Sequence, residues 1–387
     1  MRDGWKETTL SDIAHVNMGQ SPPGDTYNTE GIGMPFMQGS AEFGEHYPEP
    51  VKFCSAPAKI AEIGDLLLSV RAPVGDSNFA NQRIAIGRGL ATVRAKTGAN
   101  TNFLRLVIQL NTAGLLATSG TGMFSSITGK NLREFGVNLP SLDEQKRIVD
   151  VVSSVDAYID ALQQQANSAR TARNAVAENA INSGYPTTEL SKIGRIVTGS
   201  TPSTKRPEYW EPAEVDFITP GDFGEQLLIS NASRKVSREG ARVARALSSY
   251  SVLQVCIGAT IGKIGYVSHE VVTNQQINSV VGLDELDAYF VALMLSTNEM
   301  QANIRDRAGT TTLPIISKSA WGKLSIPWPD GLVRESISVL AKSIDEFVLE
   351  IDNAVVAAKN LRSGLLSDLL SGIHEIPESY DKFLETV

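Results

Sequence analysis

Hydrophobic residues fall at a repeating 4-3 spacing twice in this chain. The first set is Ile148, Val152, Val155, Ile159, Leu162, Ala166 and Ala169, then Val176 and Ala180. The second is Ile337, Ala341, Ile344, Val348, Ile351, Val355 and Ala358, then Leu365 and Leu369. Each member of the second set lies 189 residues beyond its partner in the first, and the skipped position is arginine both times, Arg173 and Arg362. A seam held over four to five heptads reads as a coiled-coil helix. Such a helix cannot bury its seam alone, and the simplest partner is its own copy. The pattern therefore predicts two long helices packed antiparallel, each roughly 60 Å at 1.5 Å per residue.

The ends of these helices carry their own signals. Ser141-Leu142-Asp143-Glu144 matches a capping box, in which the Ser141 hydroxyl accepts the Glu144 amide and Glu144 reaches back. Gly184 and Pro186 stop the first helix, and Gly372 and Pro377 stop the second. Ala166, Ala169, Ala172, Ala175, Ala177 and Ala180 would allow close approach in the first. Gly364 inside the second costs about 1 kcal/mol relative to alanine and marks either a kink or a tight contact.

The helices belong to a larger duplication. Thr9-Leu10-Ser11-Asp12-Ile13 with Met18-Gly19-Gln20-Ser21-Pro22 answers Glu189-Leu190-Ser191-Lys192-Ile193 with Thr198-Gly199-Ser200-Thr201-Pro202. Asn81-Gln82-Arg83-Ile84 reads as the counterpart of Asn274-Gln275-Gln276-Ile277, Gly120-Thr121 of Gly309-Thr310, and Pro140 of Pro329. Asp65 to Val70 and Ser251 to Ile257 look like buried strands, and Leu104 to Leu110 and Tyr289 to Leu295 like short helices in matching places. The expected architecture is α/β in the α+β sense and pseudo-twofold. It has a mixed globular domain over 1–140, a spacer helix over 141–183, a second globular domain over 184–329, and a second spacer helix with a tail over 330–387.

Composition excludes several classes. At 42% hydrophobic and 20% charged residues, the chain is not disordered. Its apolar runs fall short of a bilayer span, and no basic-then-apolar segment opens it. Two cysteines, Cys54 and Cys256, cannot build a disulfide framework, which suits a reducing cytoplasm. The four histidines, His15, His46, His269 and His374, are scattered, against zinc or heme. The net charge of −8 argues at first against nucleic acid, but most of it lies in the two helical segments. The near-neutral globular parts can still present basic faces.

Catalytic signatures are missing. In Gly258-Ala259-Thr260-Ile261-Gly262-Lys263-Ile264, three residues rather than four separate the glycines, and Ile264 follows the lysine where a phosphate-binding loop needs Ser or Thr. Gly120-Thr121-Gly122 is too short for a dinucleotide fingerprint. There is no G-x-S-x-G elbow and no Asn-Pro-Pro-aromatic run. The Asp143-Glu144-Gln145-Lys146 run sits in a helix first turn, where acids favour the dipole.

Binding signatures are present. Arg234, Lys235, Arg238, Arg242 and Arg245 form a basic run, with the last three at i, i+4 and i+7 on one helical face. That stripe suits phosphate, or is simply a solvated face. Gln82 and Arg83 set against Gln275 and Gln276 offer groups that pair with adenine and guanine, or serve as loop hydrogen bonds. Lys205, Arg206 and Tyr209 stand beside Trp210, whose plain reading is core packing. Arg71, Arg88, Lys130, Lys263 and Lys318 complete the candidate DNA-contacting set. No catalytic or metal-binding residue is assigned.

The motif order resembles the specificity subunits of type I DNA restriction-modification systems. The resemblance rests on Leu10-Ser11-Asp12-Ile13 with Gly19-x-x-Pro22, and Leu190-Ser191-Lys192-Ile193 with Gly199-x-x-Pro202. It rests too on Tyr209-Trp210, the Gly258 to Lys263 turn, Asn274-Gln275, and Leu139-Pro140-x-Leu142-x-Glu144-Gln145. Three departures stand out: Ala72-Pro73-Val74-Gly75-Asp76 lacks the lysine, the first domain lacks the Tyr-Trp pair, and Asp330-Gly331-Leu332-Val333-Arg334 lacks the Glu-Gln. The resemblance implies target-recognition domains alternating with helices, and a non-catalytic reader of an asymmetric, bipartite double-stranded DNA target. It implies methyltransferase and restriction subunits as partners, with S-adenosylmethionine, ATP and magnesium belonging to them and no cofactor in this chain. The competing readings are a stand-alone modification enzyme or nuclease, and a coiled-coil scaffold indifferent to DNA.

Overall fold

The computed structural model describes residues 4–45, 47–117, 126–309 and 313–384. It divides into two compact units, Met1–Ala161 with Val355–Val387, and Leu162–Ala354. Two unbroken helices, Leu142–Asn182 and Gly331–Ser371, each contribute one half to each unit. The two end 189 residues apart, and each is followed by a glycine at positive φ, Gly184 at 69° and Gly372 at 74°. That backbone conformation stops a helix and strains a residue with a side chain.

The strands of the first unit that position its loops are β1 (Lys6–Thr9), β2 (Ala14–Met18), β3 (Met34–Met37), β4 (Leu66–Ser69), β5 (Ser77–Phe79), β6 (Ile84–Ile86), β7 (Leu90–Ala95) and β8 (Gly136–Leu139). An antiparallel sheet runs in the order β2-β7-β4-β5. Every residue of β4 is buried, which its continuous apolar run requires of a strand covered on both faces. A parallel pair, β3 with β6, lies inside a five-stranded sheet. The helix Thr101–Leu110 is capped by the Asn100 side chain, which accepts the Phe103 amide at 3.1 Å. It buries Phe103, Leu104 and Val107 in a core shared with Trp5, Leu10, Leu66 and Val93.

Their counterparts in the second unit are β9 (Thr187–Glu189), β10 (Arg195–Thr198), β11 (Val215–Ile218), β12 (Ser251–Val255), β13 (Ile264–Val267), β14 (Val271–Thr273), β15 (Ile277–Val281) and β16 (Ser325–Pro327). The sheet order β10-β15-β12-β13 repeats that of the first unit, and β11 pairs β14 in parallel as β3 pairs β6. Leu10 N donates to Phe135 O at 2.8 Å, and Leu190 N to Leu324 O at 2.9 Å. The helix Glu285–Ser296 takes the place of Thr101–Leu110.

Within each unit the two long-helix segments pack antiparallel. In the first, Ile148 and Val152 share a core with Leu366, Leu369 and Leu370. In the second, Ala177 and Ala180 share one with Ala341. The seam predicted from spacing is therefore the buried face, worth about 1.5–3 kcal/mol for each large aliphatic chain fully buried. Two expectations change. Ala172 and Ala175 are exposed, so only part of the alanine run lies in the seam. A Cβ built on Gly364 would meet nothing within 4 Å, so no tight contact requires that glycine.

The strand register also corrects one correspondence. Met18 pairs Ala91 and Thr198 pairs Asn278, which equates Leu90 with Ile277. The counterpart of Asn274-Gln275-Gln276 is therefore Gly87-Arg88-Gly89, the three residues between β6 and β7. Asn81-Gln82-Arg83 instead precedes β6 and corresponds to Ser268-His269-Glu270, which precedes β14. The shared letters of the two Asn-Gln segments are a coincidence of composition. Gly120, Thr121, Gly122, Thr310 and His46 lie outside the described residues.

Candidate nucleic-acid interface

The doubled topology builds one loop cluster in each unit, at the carboxyl ends of its parallel strand pair. In the first unit, Gly19 N donates to Leu90 O at 2.8 Å, and Leu90 N donates to Gly87 O at 3.0 Å. In the second, Gly199 N donates to Ile277 O at 3.1 Å, and Ile277 N donates to Asn274 O at 3.2 Å. A Cβ on Gly19 would sit 2.1 Å from Gly87 O, and one on Gly199 would sit 2.2 Å from Asn274 O. Glycine is needed at both places because backbone meets backbone there. The Gly-x-x-Pro motif thus clamps a three-residue turn whose middle residue, Arg88 or Gln275, is exposed.

The residue two after each clamping glycine touches that middle residue. Arg88 N donates to Ser21 Oγ at 3.4 Å, and Thr201 Oγ1 donates to Gln275 Oε1 at 2.8 Å. The Arg88 guanidinium has no partner among the described residues. Gln276 is half-buried, and its side chain donates to Ile257 O at 3.3 Å while its carbonyl oxygen accepts from Asn274 Nδ2 at 3.0 Å. Arg245 Nη1 donates to Thr198 O at 3.0 Å, beside the same cluster.

Other candidates are dispersed. Arg83 pairs with Glu62 at 3.1 Å on the surface, and Gln82 beside it is exposed. Arg71 follows β4, bridged through its backbone to Ser126. Lys130 faces Glu134 at 4.0 Å. Lys318 is exposed in the first turn of the Lys318–Gly322 helix. Lys263 Nζ donates to Phe223 O at 3.1 Å, so this lysine is tied to its own domain. Register places Asp76 in its position in the first unit: Val255 N donates to Lys263 O and Ser69 N to Asp76 O.

The basic stripe is not one helical face. The helix Arg238–Val243 ends before Arg245, whose φ of 58° lies in the left-handed region. Arg238 faces Glu214 at 3.9 Å and Glu270 at 3.7 Å, while Arg242 is exposed and without a partner among the described residues. Arg206 donates to Tyr209 Oη at 2.9 Å, and its guanidinium lies 5.4 Å from that ring's centroid. This pair joins the arginine helix through Ser237 N, which donates to Tyr209 O at 3.0 Å. Lys205 is exposed on the approach to it. Trp210 is half-buried, edge-on to Phe217 at 5.4 Å and covered by Arg234 at 4.4 Å.

The doubled unit has a counterpart among known families. The family model described as the type I restriction modification DNA specificity domain matches twice, over 2–169 and 182–331. The chain belongs to this specificity family. A putative type I restriction enzyme specificity subunit (MjaX) of Methanocaldococcus jannaschii is 38% identical over 161 residues, 41% of this chain and 38% of that protein. The HindI specificity subunit of Haemophilus influenzae is 31% identical over 196 residues, 49% of this chain and 41% of that protein. The matched stretches thus span about two fifths of these relatives. The fold agrees with the crystal structure of a type I restriction-modification system S subunit from M. genitalium (TM-score 0.59, 13% identity, 94% of this chain and 96% of that one). It agrees also with a chain from work on complex assembly and conformational transition of the type I R-M system (TM-score 0.61, 16% identity, 96% and 98%).

Within the specificity family's double match, the sequence concealed two candidate positions. Gln20 follows the clamping glycine, and its amide donates to Ile86 O at 3.0 Å. Gln38 follows β3, and its carbonyl accepts the Gly89 amide at 3.1 Å. Both are exposed at the Arg88 cluster. Their place beside a glycine clamp was the available signal for Gln20; nothing in the sequence marked Gln38. Among the described residues no three His, Cys, Asp or Glu side chains converge as a metal site, and no helix is long and apolar enough to cross a membrane.

Proposed function

We propose that this chain is the sequence-specific DNA-binding specificity subunit of a type I restriction-modification complex, and that it catalyses nothing itself. Residues 1–140 and 184–329 act as target-recognition domains, each reading one short half-site. The observation that carries this is the pair of matched loop clusters with different exposed side chains, Arg88 and Gln275, at the same place. The same scaffold twice, with unlike tips, suits an asymmetric bipartite target. Two domains reading one face of a duplex require half-sites about one helical turn, 10–10.5 bp, apart. The bases between go unread.

The spacer helices, 141–183 and 330–387 with the tail, set that distance and dock two adenine-methylating modification subunits, with restriction subunits joining them. S-adenosylmethionine, ATP and magnesium act in those partners, in the cytoplasm. Leu332, Leu340 and Phe347 are exposed on the second long helix, which supports a protein-facing surface there. The net acidity of the helical segments disfavours phosphate.

Exchanging residues 1–140 for the corresponding domain of another family member tests the reading. One half-site should change and the other persist. A change in both, or in neither, contradicts it. Adding about four residues to both long helices should lengthen the unread interval; an unchanged interval would remove their role as a ruler.

A further inference from the structure

We infer that Arg88 and Gln275 are the same base-reading position in the two domains, Arg88 selecting guanine in one half-site and Gln275 adenine in the other. This rests on the function proposed above and extends it to named bases.

The equivalence comes from geometry, since Gly87-Arg88-Gly89 and Asn274-Gln275-Gln276 share no residue. Each triplet joins the second strand of a parallel pair to the central strand of the main sheet. Each closes with the same amide-to-carbonyl bond, Leu90 to Gly87 and Ile277 to Asn274. Each lies under a glycine that admits no Cβ. Each middle residue is touched by the hydroxyl two places after that glycine, Ser21 or Thr201. Ser21 meets the Arg88 backbone and Thr201 the Gln275 side chain, so each turn is held from both sides while its central side chain stays exposed, which is the preorganisation a base contact needs.

The chemistry follows from the side chains. A free guanidinium presents two parallel donors, matching O6 and N7 of guanine. A glutamine amide presents one donor and one acceptor, matching N7 and the N6 amino group of adenine. Thr201 holds the Gln275 amide with its oxygen inward. Its hydroxyl donates to Oε1, fixing the amide, and that oxygen keeps a second lone pair for the adenine amino group. Nε2 is then presented as the donor.

The test uses the full-length chain assembled with its modification subunits and a DNA library randomised over both half-sites. Wild type should require guanine at one position of the first half-site and adenine at one position of the second. Arg88→Gln should turn that guanine preference to adenine, a change of roughly five- to 100-fold, without altering the second half-site. Gln275→Arg should do the reverse. Arg88→Lys, which keeps the charge but loses the fork, should weaken the guanine preference while the salt dependence of binding stays. Variants that weaken binding equally for every base, or leave all preferences unchanged on a bipartite wild-type background, overturn the inference alone. A wild-type complex without any sequence preference overturns the proposed function, and this inference with it.

Discussion

Arg173 Nη1 donates to Asp345 Oδ1 at 3.1 Å across the two long-helix segments of the second unit. The same pair recurs 189 residues away, where Arg362 grips Asp156 in the first unit, with Nη2 2.9 Å from Oδ2. The arginine that interrupts each apolar seam thus bonds across it, as Arg170 also does to Asp352 at 2.7 Å. The two pairs differ in burial: side-chain exposures are 13% and 22% for Arg173 and Asp345, against 23% and 43% for Arg362 and Asp156. Arg173→Ala leaves a carboxylate without its counter-charge in the drier setting, held only by the Tyr289 hydroxyl, and should cost about 2–3 kcal/mol. Arg362→Ala should cost about 1 kcal/mol. Urea unfolding of the two variants checks the order; equal losses would mean burial does not set the strength of these bonds.

Asp345 also accepts from Tyr289 Oη at 2.7 Å, and burial followed by that carboxylate pushes the Tyr289 phenol well above its ordinary range. In the first unit Arg105 occupies the matching helix position. Its guanidinium lies 5.5 Å from the Phe79 ring centroid, its Nε is buried without a hydrogen-bond partner, and burial lowers its pKa. A cation whose Nε is desolvated without a hydrogen bond costs stability that the nearby Asp156 carboxylate offsets only in part. Arg105→Met should therefore raise the unfolding free energy by roughly 0.5–1 kcal/mol, where most large substitutions at buried sites lower it. A loss above about 1 kcal/mol would mean that the guanidinium earns its place.

Tyr380, in the tail helix Ser379–Leu384, donates to Asp150 Oδ2 at 2.6 Å, and that bond raises its pKa from 10.0 to about 12. A raised folded pKa means the folded state holds the proton more tightly than the unfolded one. The contribution is complete below pH 10 and fades as pH climbs through 12. Tyr380→Phe should flatten the alkaline fall in stability between those limits. A variant whose pH profile parallels wild type there would show that the tail is held by something else, such as the 2.9 Å bond from Arg147 to Asp381.

Gly19→Ala and Gly199→Ala each place a methyl about 2 Å from a carbonyl oxygen, far inside contact distance. The turn beneath must move, and the Arg88 or Gln275 it carries moves with it. Each variant should lose discrimination at its own half-site only, with a stability loss on the order of 1–3 kcal/mol. Binding of both variants to DNA altered in one half-site at a time separates these effects. Loss at both half-sites from a single substitution would contradict the independence of the two clusters.

The helices were legible because a heptad seam is written in one stretch of chain and needs no distant partner to be recognised. Arg173 and Arg362 were visible as the skipped positions, but their partners were not: Asp345 and Asp156 stand 172 and 206 residues away. The loop clusters were half legible. Gly-x-x-Pro marked both clamps, yet the matching of Asn81-Gln82-Arg83 with Asn274-Gln275-Gln276 followed letters where strand register decides. Equivalent turns need the same backbone hydrogen bonds and need share no side chain, so the letters of Gly87-Arg88-Gly89 do not reveal its match to Asn274-Gln275-Gln276. Arg245 left the predicted helical face because the chain turns left-handed there, a backbone choice that i, i+4, i+7 spacing does not encode.

One selection experiment tests whether two unlike domains of one doubled chain each read a segment of the same duplex. The full-length chain, assembled with its modification subunits, is offered duplexes randomised over about 20 bp, and the bound fraction is sequenced. Two short specified segments are expected, different from each other and centred about 10–10.5 bp apart, with an unspecified interval between them. A single continuous site, a palindrome, or no enrichment at all would contradict it.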